Sequence, residues 1–203
     1  MKQLVQKQLA QSIATLQAVL ADPQIADTIV TIGEITAKSM QNGGKLLVAG
    51  NGGSAADAQH LVAEFVVRLT VNRPALRAIA LTTDTSILTA AGNDFGYDTV
   101  FSRQIEALGQ PGDVFLGIST SGNSKNIVNA LHQAKKQGIT TVGFTGGTGG
   151  QMCTLCDYNV IIPSDVTMNI QESHLALEHI FCMVVERFTF GMDFDKKPHH
   201  LAE

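Results

Sequence analysis

Apolar residues recur at helical spacing through Gln3–Leu20 and again through Ile25–Gln41, with Asp22-Pro23 between the runs and Asn42-Gly43-Gly44 after the second. This is the pattern of two amphipathic helices, broken where proline cannot continue a helix and stopped where glycine ends one. Beyond residue 44 the period changes. Short apolar runs occupy Lys45–Ala49, Ala78–Leu81, Val114–Ile118, Thr140–Phe144 and Asn159–Ile162, each of strand length. Between them Ala55–Arg68, Asp98–Leu108 and Lys125–Gln137 return to helical spacing. Strands that alternate with helices pair in parallel, because parallel neighbours need a crossover. The expected architecture is α/β: a five-stranded parallel doubly wound sheet, a helical hairpin before it, and one long helix, roughly Met168–Phe188, after it. No linker, repeat or low-complexity segment divides the chain. A single domain over residues 1–190 is therefore expected, with the N-terminal helices in 1–41, the α/β core in 45–163 and the last helix in 168–188. The tail 191–203, with charges, Pro198 and two histidines, is expected to pack little.

The composition suits a globular protein: of 203 residues, 44% are hydrophobic and 16% charged. A net charge of −4 is a poor footprint for nonspecific nucleic-acid binding, which needs a basic face to neutralise phosphates. The N-terminus, Met1-Lys2-Gln3-Leu4-Val5-Gln6-Lys7-Gln8, lacks the apolar core of a signal peptide, and no apolar run is long enough to span a bilayer. A cytoplasmic protein without membrane attachment is expected. Cys153 and Cys156 form a C-x-x-C, but it follows a Gly-rich turn and has no second such pair, so these and Cys182 read as reduced structural thiols.

Two loops carry candidate chemistry. The first strand runs directly into Gly50-Asn51-Gly52-Gly53-Ser54 and a helix. Glycines remove the Cβ atoms that would keep a ligand from backbone N–H groups, and a helix start offers unpaired N–H groups with a positive dipole end. The third strand ends in Ser119-Thr120-Ser121-Gly122-Asn123-Ser124 and leads into another helix, a hydroxyl-rich cradle for phosphate oxygens. In open α/β sheets ligands bind beyond the carboxyl ends of the strands, where both loops fall. Each loop alone could be an ordinary turn with Ser as an N-cap; two at equivalent positions favour phosphate. Gly50-x-Gly52-x-x-Ala55 also matches the dinucleotide fingerprint, but the acidic residue expected about 20 residues on is missing, Asp84 coming clearly later. No nucleotide cofactor is expected.

Glu64 lies one turn beyond His60 on the helix that opens at the first loop, so both share a face. The closing helix brings Gln171, Glu172, His174, Glu178 and His179 into an otherwise apolar segment. Gln171 and His179 fall about 80° apart around it and can border one pocket. On spacing alone, His60 with Glu64 could equally be a surface pair and His179 a core histidine.

Together these stretches resemble a known family, the phosphoheptose isomerases of the sugar-isomerase (SIS), flavodoxin-like fold. The matching residues are Gly50-Asn51-Gly52-Gly53-Ser54-Ala55-Ala56-Asp57-Ala58-Gln59-His60, Glu64, Gly92-Asn93-Asp94-Phe95-Gly96 and Phe101-Ser102-Arg103. They continue with Gly112-Asp113-Val114, Gly117-Ile118-Ser119-Thr120-Ser121-Gly122-Asn123-Ser124 and Ile170-Gln171-Glu172-x-His174 with His179. The resemblance implies conversion of D-sedoheptulose 7-phosphate to D-glycero-D-manno-heptose 7-phosphate through an enediol, an early step towards bacterial surface heptoses. It implies that Asn51, Gly52, Gly53, Ser54, Asn93, Asp94, Ser119, Thr120, Ser121 and Ser124 bind substrate, together with Glu64 and Gln171. Glu64 and His179 would be the proton-transfer pair. It also implies a zinc ion at His60, Glu64, Gln171 and His179, and a homotetramer with active sites between subunits. Met168-Asn169 departs from the family pattern, which carries charge there. Two other readings share the fold: a non-catalytic regulator that binds the replication initiator, and an isomerase or binder of another phosphosugar. The first lacks the acid–base pair that this chain retains as Glu64 and His179.

Overall fold

The computed structural model describes residues 1–191. Helices α1 (Lys2–Ala21) and α2 (Pro23–Gln41) form the expected hairpin. Asp22 separates them and caps α2 by accepting from the Gln24 N–H, while Pro23 takes the first helical position, where its missing N–H is not needed. There follow β1 (Leu46–Gly50), α3 (Gly53–Val66), β2 (Ala78–Ala80), α4 (Thr85–Asp94), a 3-10 turn (Tyr97–Thr99), α5 (Val100–Leu108), β3 (Val114–Ile118), α6 (Lys125–Lys136), β4 (Thr140–Gly146), α7 (Met152–Leu155), β5 (Tyr158–Ile162) and α8 (Thr167–Phe190). All five expected strands form, β3 with the expected bounds and the others with ends shifted by at most two residues. The long last helix forms as well. Helices α4 and α7 lie outside the expectation. Only Ala91 of α4 is buried, so α4 has no apolar stripe to read, and α7 is a single turn. The tail expectation, including His199 and His200, falls on residues 192–203, outside the described ones. No described helix is long and apolar enough to cross a membrane.

Every strand pairing is parallel, and the order is β2-β1-β3-β4-β5. Alternate residues of the central strands β1 and β3 enter two separate cores. Leu46, Val48, Leu116 and Phe144 meet Ile32 of α2, Leu61 and Phe65 of α3, and Phe181 of α8. On the other face Leu47, Ala49 and Phe115 meet Phe101 and Ile105 of α5 and Leu131 of α6. With both faces covered, the strands read as continuous apolar runs rather than alternating ones. The crossover from β1 passes over the first face and those after β2 over the second. The strand order therefore reverses between β1 and β3, and the loops leaving these two strands part to opposite faces. A crevice at such a switch point is where ligands bind in open α/β sheets.

Candidate active site

Both Gly- and Ser-rich loops leave the sheet at this switch point. The N-cap position of α3 is Gly52, which has no side chain to cap the helix, and that of α6 is Ser124, whose side chain does not cap it either. The Ser124 hydroxyl instead meets that of Ser119 at 2.9 Å, with the Ser121 hydroxyl 3.5 Å from Ser119. Ser as an ordinary N-cap is thus not what Ser124 does. Its hydroxyl joins a cluster beside two uncapped helix N-termini, the arrangement that suits a multiply accepting anion. Gly122 makes the loop possible: its φ is +64°, and a Cβ there would stand 2.0 Å from the carbonyl oxygen of Gly149.

The two loops are tied to each other. Asn51 and Asn126 exchange reciprocal side-chain hydrogen bonds of 2.9 and 2.8 Å, and the Tyr97 hydroxyl donates to Asn51 Oδ1 at 3.3 Å. Neither Asn126 nor Tyr97 was expected. Asn126 is 75 positions from Asn51, and no local spacing reveals such a pairing. Asn93 and Asp94 lie exposed at the end of α4 and hydrogen-bond to one another. Among the described residues no hydrogen bond joins them to either loop, and Tyr97 provides the link from their segment.

Helices α3 and α8 run side by side. Gln171 lies against Gly53, where a Cβ would come within 2.6 Å of its amide nitrogen, and Phe65 packs on Phe181 with ring centroids 5.7 Å apart. Midway along this seam the Nε2 atoms of His60 and His179 are 2.8 Å apart, and Glu64 Oε1 is 3.6 Å from His60 Nε2. One ligand atom from each of His60, Glu64 and His179 lies within 4.8 Å of the others, a group that could hold a metal ion. Two imidazoles and a carboxylate are a fitting donor set for zinc. The i, i+4 pair on α3 and the lone His179, distant in sequence, thus form one cluster, and neither the surface-pair nor the core-histidine reading accounts for it.

Beneath the cluster the seam holds ionisable groups that sequence reasoning named without a role or passed over. Glu178 is wholly buried, and neither of its oxygens has a hydrogen-bond partner among the described residues. Burial, and then the neighbouring Asp57 carboxylate, push Glu178 up to about 8, so it is mainly protonated at neutral pH. Asp57 is raised as well, by burial, with His60 pulling it down. His174 donates through Nε2 to the Thr145 carbonyl at 3.0 Å, and burial lowers it to about 4, leaving it neutral. All three cysteines are free thiols; burial pushes Cys156 and Cys182 up to about 12, while Cys153 is exposed. Of the unusual Met168-Asn169 pair, Met168 is exposed and Asn169 buried.

Residues 9–146 match the model of the SIS domain family. The phosphoheptose isomerase of Aneurinibacillus thermoaerophilus is 51% identical over 194 residues, covering 96% of this chain and 98% of that protein. The chain belongs to the phosphoheptose isomerase family of SIS-domain proteins. Another phosphoheptose isomerase, from Burkholderia pseudomallei, is 53% identical over 90% of this chain and 93% of its own. The same family supplies a solved structure, the phosphoheptose isomerase of Neisseria gonorrhoeae, which superposes with a TM-score of 0.86 at 40% identity, covering 91% of this chain and 98% of that one. The matched SIS residues take in most of the N-terminal hairpin but stop before β5 and α8, and the similarity to these relatives continues beyond them.

Proposed function

We propose that this protein is an aldose–ketose isomerase that converts D-sedoheptulose 7-phosphate to D-glycero-D-manno-heptose 7-phosphate in the cytoplasm, for bacterial surface heptose synthesis. The observation that carries the reading is the His60–Glu64–His179 cluster, set on the helix that begins at the Gly-rich loop of the switch point. From the start of α3 to His60 is roughly 10 Å of helix rise, a span suited to a seven-carbon sugar anchored by its phosphate. The loop hydroxyls of Ser119, Thr120, Ser121 and Ser124 and the N–H groups of Gly52, Gly53 and Ser54 take the phosphate. Asn51, Asn93, Asp94 and Gln171 hold sugar hydroxyls.

Of Glu64 and His179, one removes a C1 proton and the other serves the sugar oxygens. The C1–H electron pair becomes the C1=C2 bond of the enediol, and the C2 carbonyl oxygen takes a proton. In the second half O1 gives up its proton, the C1 carbonyl forms, and C2 is reprotonated. Zinc, held by His60, Glu64, Gln171 and His179, would supply Lewis-acid polarisation of substrate oxygens. Glu64 and His179 serve in both lists, so metal binding and proton transfer draw on the same lone pairs. The regulator reading has no use for that retained pair. The apolar side chains that α1 leaves exposed, among them Leu4, Val5, Leu9 and Ile13, support a homotetramer.

The test is aldose formation from sedoheptulose 7-phosphate, followed by NMR on chelated protein with and without added zinc. Turnover supports the isomerase, and its response to zinc separates a catalytic metal from an incidental one. A folded protein without turnover in either condition would falsify the proposal.

A further inference from the structure

At the far end of the α3–α8 seam lies a buried ion pair that the chemistry above does not use. The Arg73 side chain is 1% exposed and that of Glu186 fully buried, with Nε donating to Glu186 Oε1 at 2.8 Å. The two remaining nitrogens of the guanidinium turn to backbone. Nη2 donates to the carbonyl of Glu64 at 2.6 Å, and Nη1 to the carbonyls of Phe65 at 2.6 Å and Pro74 at 3.2 Å. Helix α3 ends at Val66, so the carbonyls of Glu64 and Phe65 belong to its last turn, where no intrahelical partner remains. A cation there is also favoured by the helix dipole. Glu186 follows His179 by seven residues, two turns on and about 20° away around α8, so both face α3.

We infer that Arg73, held by Glu186, is a positioning residue that fixes the register of α3 against α8 and so places Glu64 relative to His179. The inference rests on the isomerase reading for its activity arm. Apolar packing such as Phe65 on Phe181 brings the helices together but tolerates sliding, since dispersion has little direction. The planar guanidinium does not: it must meet a carboxylate on one helix and two consecutive carbonyls on the other at once. One of those carbonyls belongs to Glu64 itself. A buried ion pair adds little net stability over a well-packed apolar pair, so geometry is the natural return for burying this one.

Three variants test the clamp: Glu186→Gln, Arg73→Lys, and the double variant Arg73→Met with Glu186→Leu. The readouts are kcat and KM for sedoheptulose 7-phosphate, Tm, and the affinity for cobalt(II) measured from its visible absorption in competition with a chelator. The expected result is a kcat about 10–100-fold below wild type with KM changed by less than about threefold, because the phosphate loops are untouched. Cobalt affinity falls by about 10–100-fold in the same variants. The double variant melts near the wild-type temperature yet stays impaired in both readouts, which a purely structural pair would not produce. Wild-type kcat and cobalt affinity in the folded double variant overturn the inference. So does failure of all three variants to fold, since the pair is then a requirement of folding. Wild-type turnover is measured alongside: its absence defeats the isomerase reading, while the cobalt titration still decides the clamp.

Discussion

Replacing Glu178 by glutamine removes a wholly buried carboxyl group while keeping its size, and the consequence can be worked out as a function of pH. In the folded protein Glu178 titrates at about 8 against an ordinary 4.5. Between those values the native state holds a proton that the unfolded state has released. Stability from this group is therefore complete below pH 4.5 and is lost as the pH rises towards 8. Between pH 5.5 and 7.5 the loss amounts to roughly 2–3 kcal/mol. His174 acts in the opposite sense. Its folded value of about 4 lies below the ordinary 6.5, so the unfolded state binds the extra proton and stability rises with pH up to about 6.5. In the wild type the two partly offset, and only a comparison with the variant isolates Glu178. Urea melts of both proteins at pH 5.5 and 7.5, with chelator present, supply it. The glutamine variant should gain roughly 2–3 kcal/mol on the wild type between the two pH values. An equal stability difference at both would show that Glu178 ionises as an ordinary surface carboxylate does, and the burial argument would be wrong.

Glu64→Gln should leave a folded protein whose turnover falls roughly 10²–10⁴-fold, the usual worth of a positioned acid–base group, measured by NMR of the sugar phosphate. Near-normal turnover would remove Glu64 from the proton transfers. Ser121→Ala should weaken binding of the sugar phosphate by about 1 kcal/mol in isothermal titration, one hydroxyl's contribution; an unchanged affinity would move the phosphate elsewhere. Gly33→Ala tests the α2–α8 contact. Helix propensity favours alanine by about 1 kcal/mol, but its Cβ would stand 2.4 Å from Val184 Cγ1, so a net loss of about 1–3 kcal/mol is expected in denaturant melts. A stabilised variant would show that the seam can open without penalty.

Much of the fold was legible because burial on both faces turns each parallel strand into an apolar run and leaves helices with a 3.6-residue stripe. Where burial is thin the signal fades. Helix α4, with Ala91 as its one buried residue, went unread, although the Asp84 carboxylate that caps it at Ile87 N–H is a local feature. The same division runs through the candidate site. The Gly50–Ser54 and Ser119–Ser124 loops, and His60 one turn before Glu64, announce themselves over a few residues. Asn126 under Asn51 does not, and Arg73 and Glu186 stand 113 positions apart.

By itself the sequence determined what depends on neighbours within a turn or a pleat: element type, the breaks at Pro23 and Gly43, the glycines that bare backbone N–H groups, and the face shared by His60 and Glu64. Tertiary structure decided that β1 lies beside β3, so that two separately readable loops face one crevice. It also decided that His179 meets His60 across 119 positions. The reason is physical: periodicity records how a residue serves its own backbone, whereas partners across a seam are chosen by how whole helices pack on a twisted sheet.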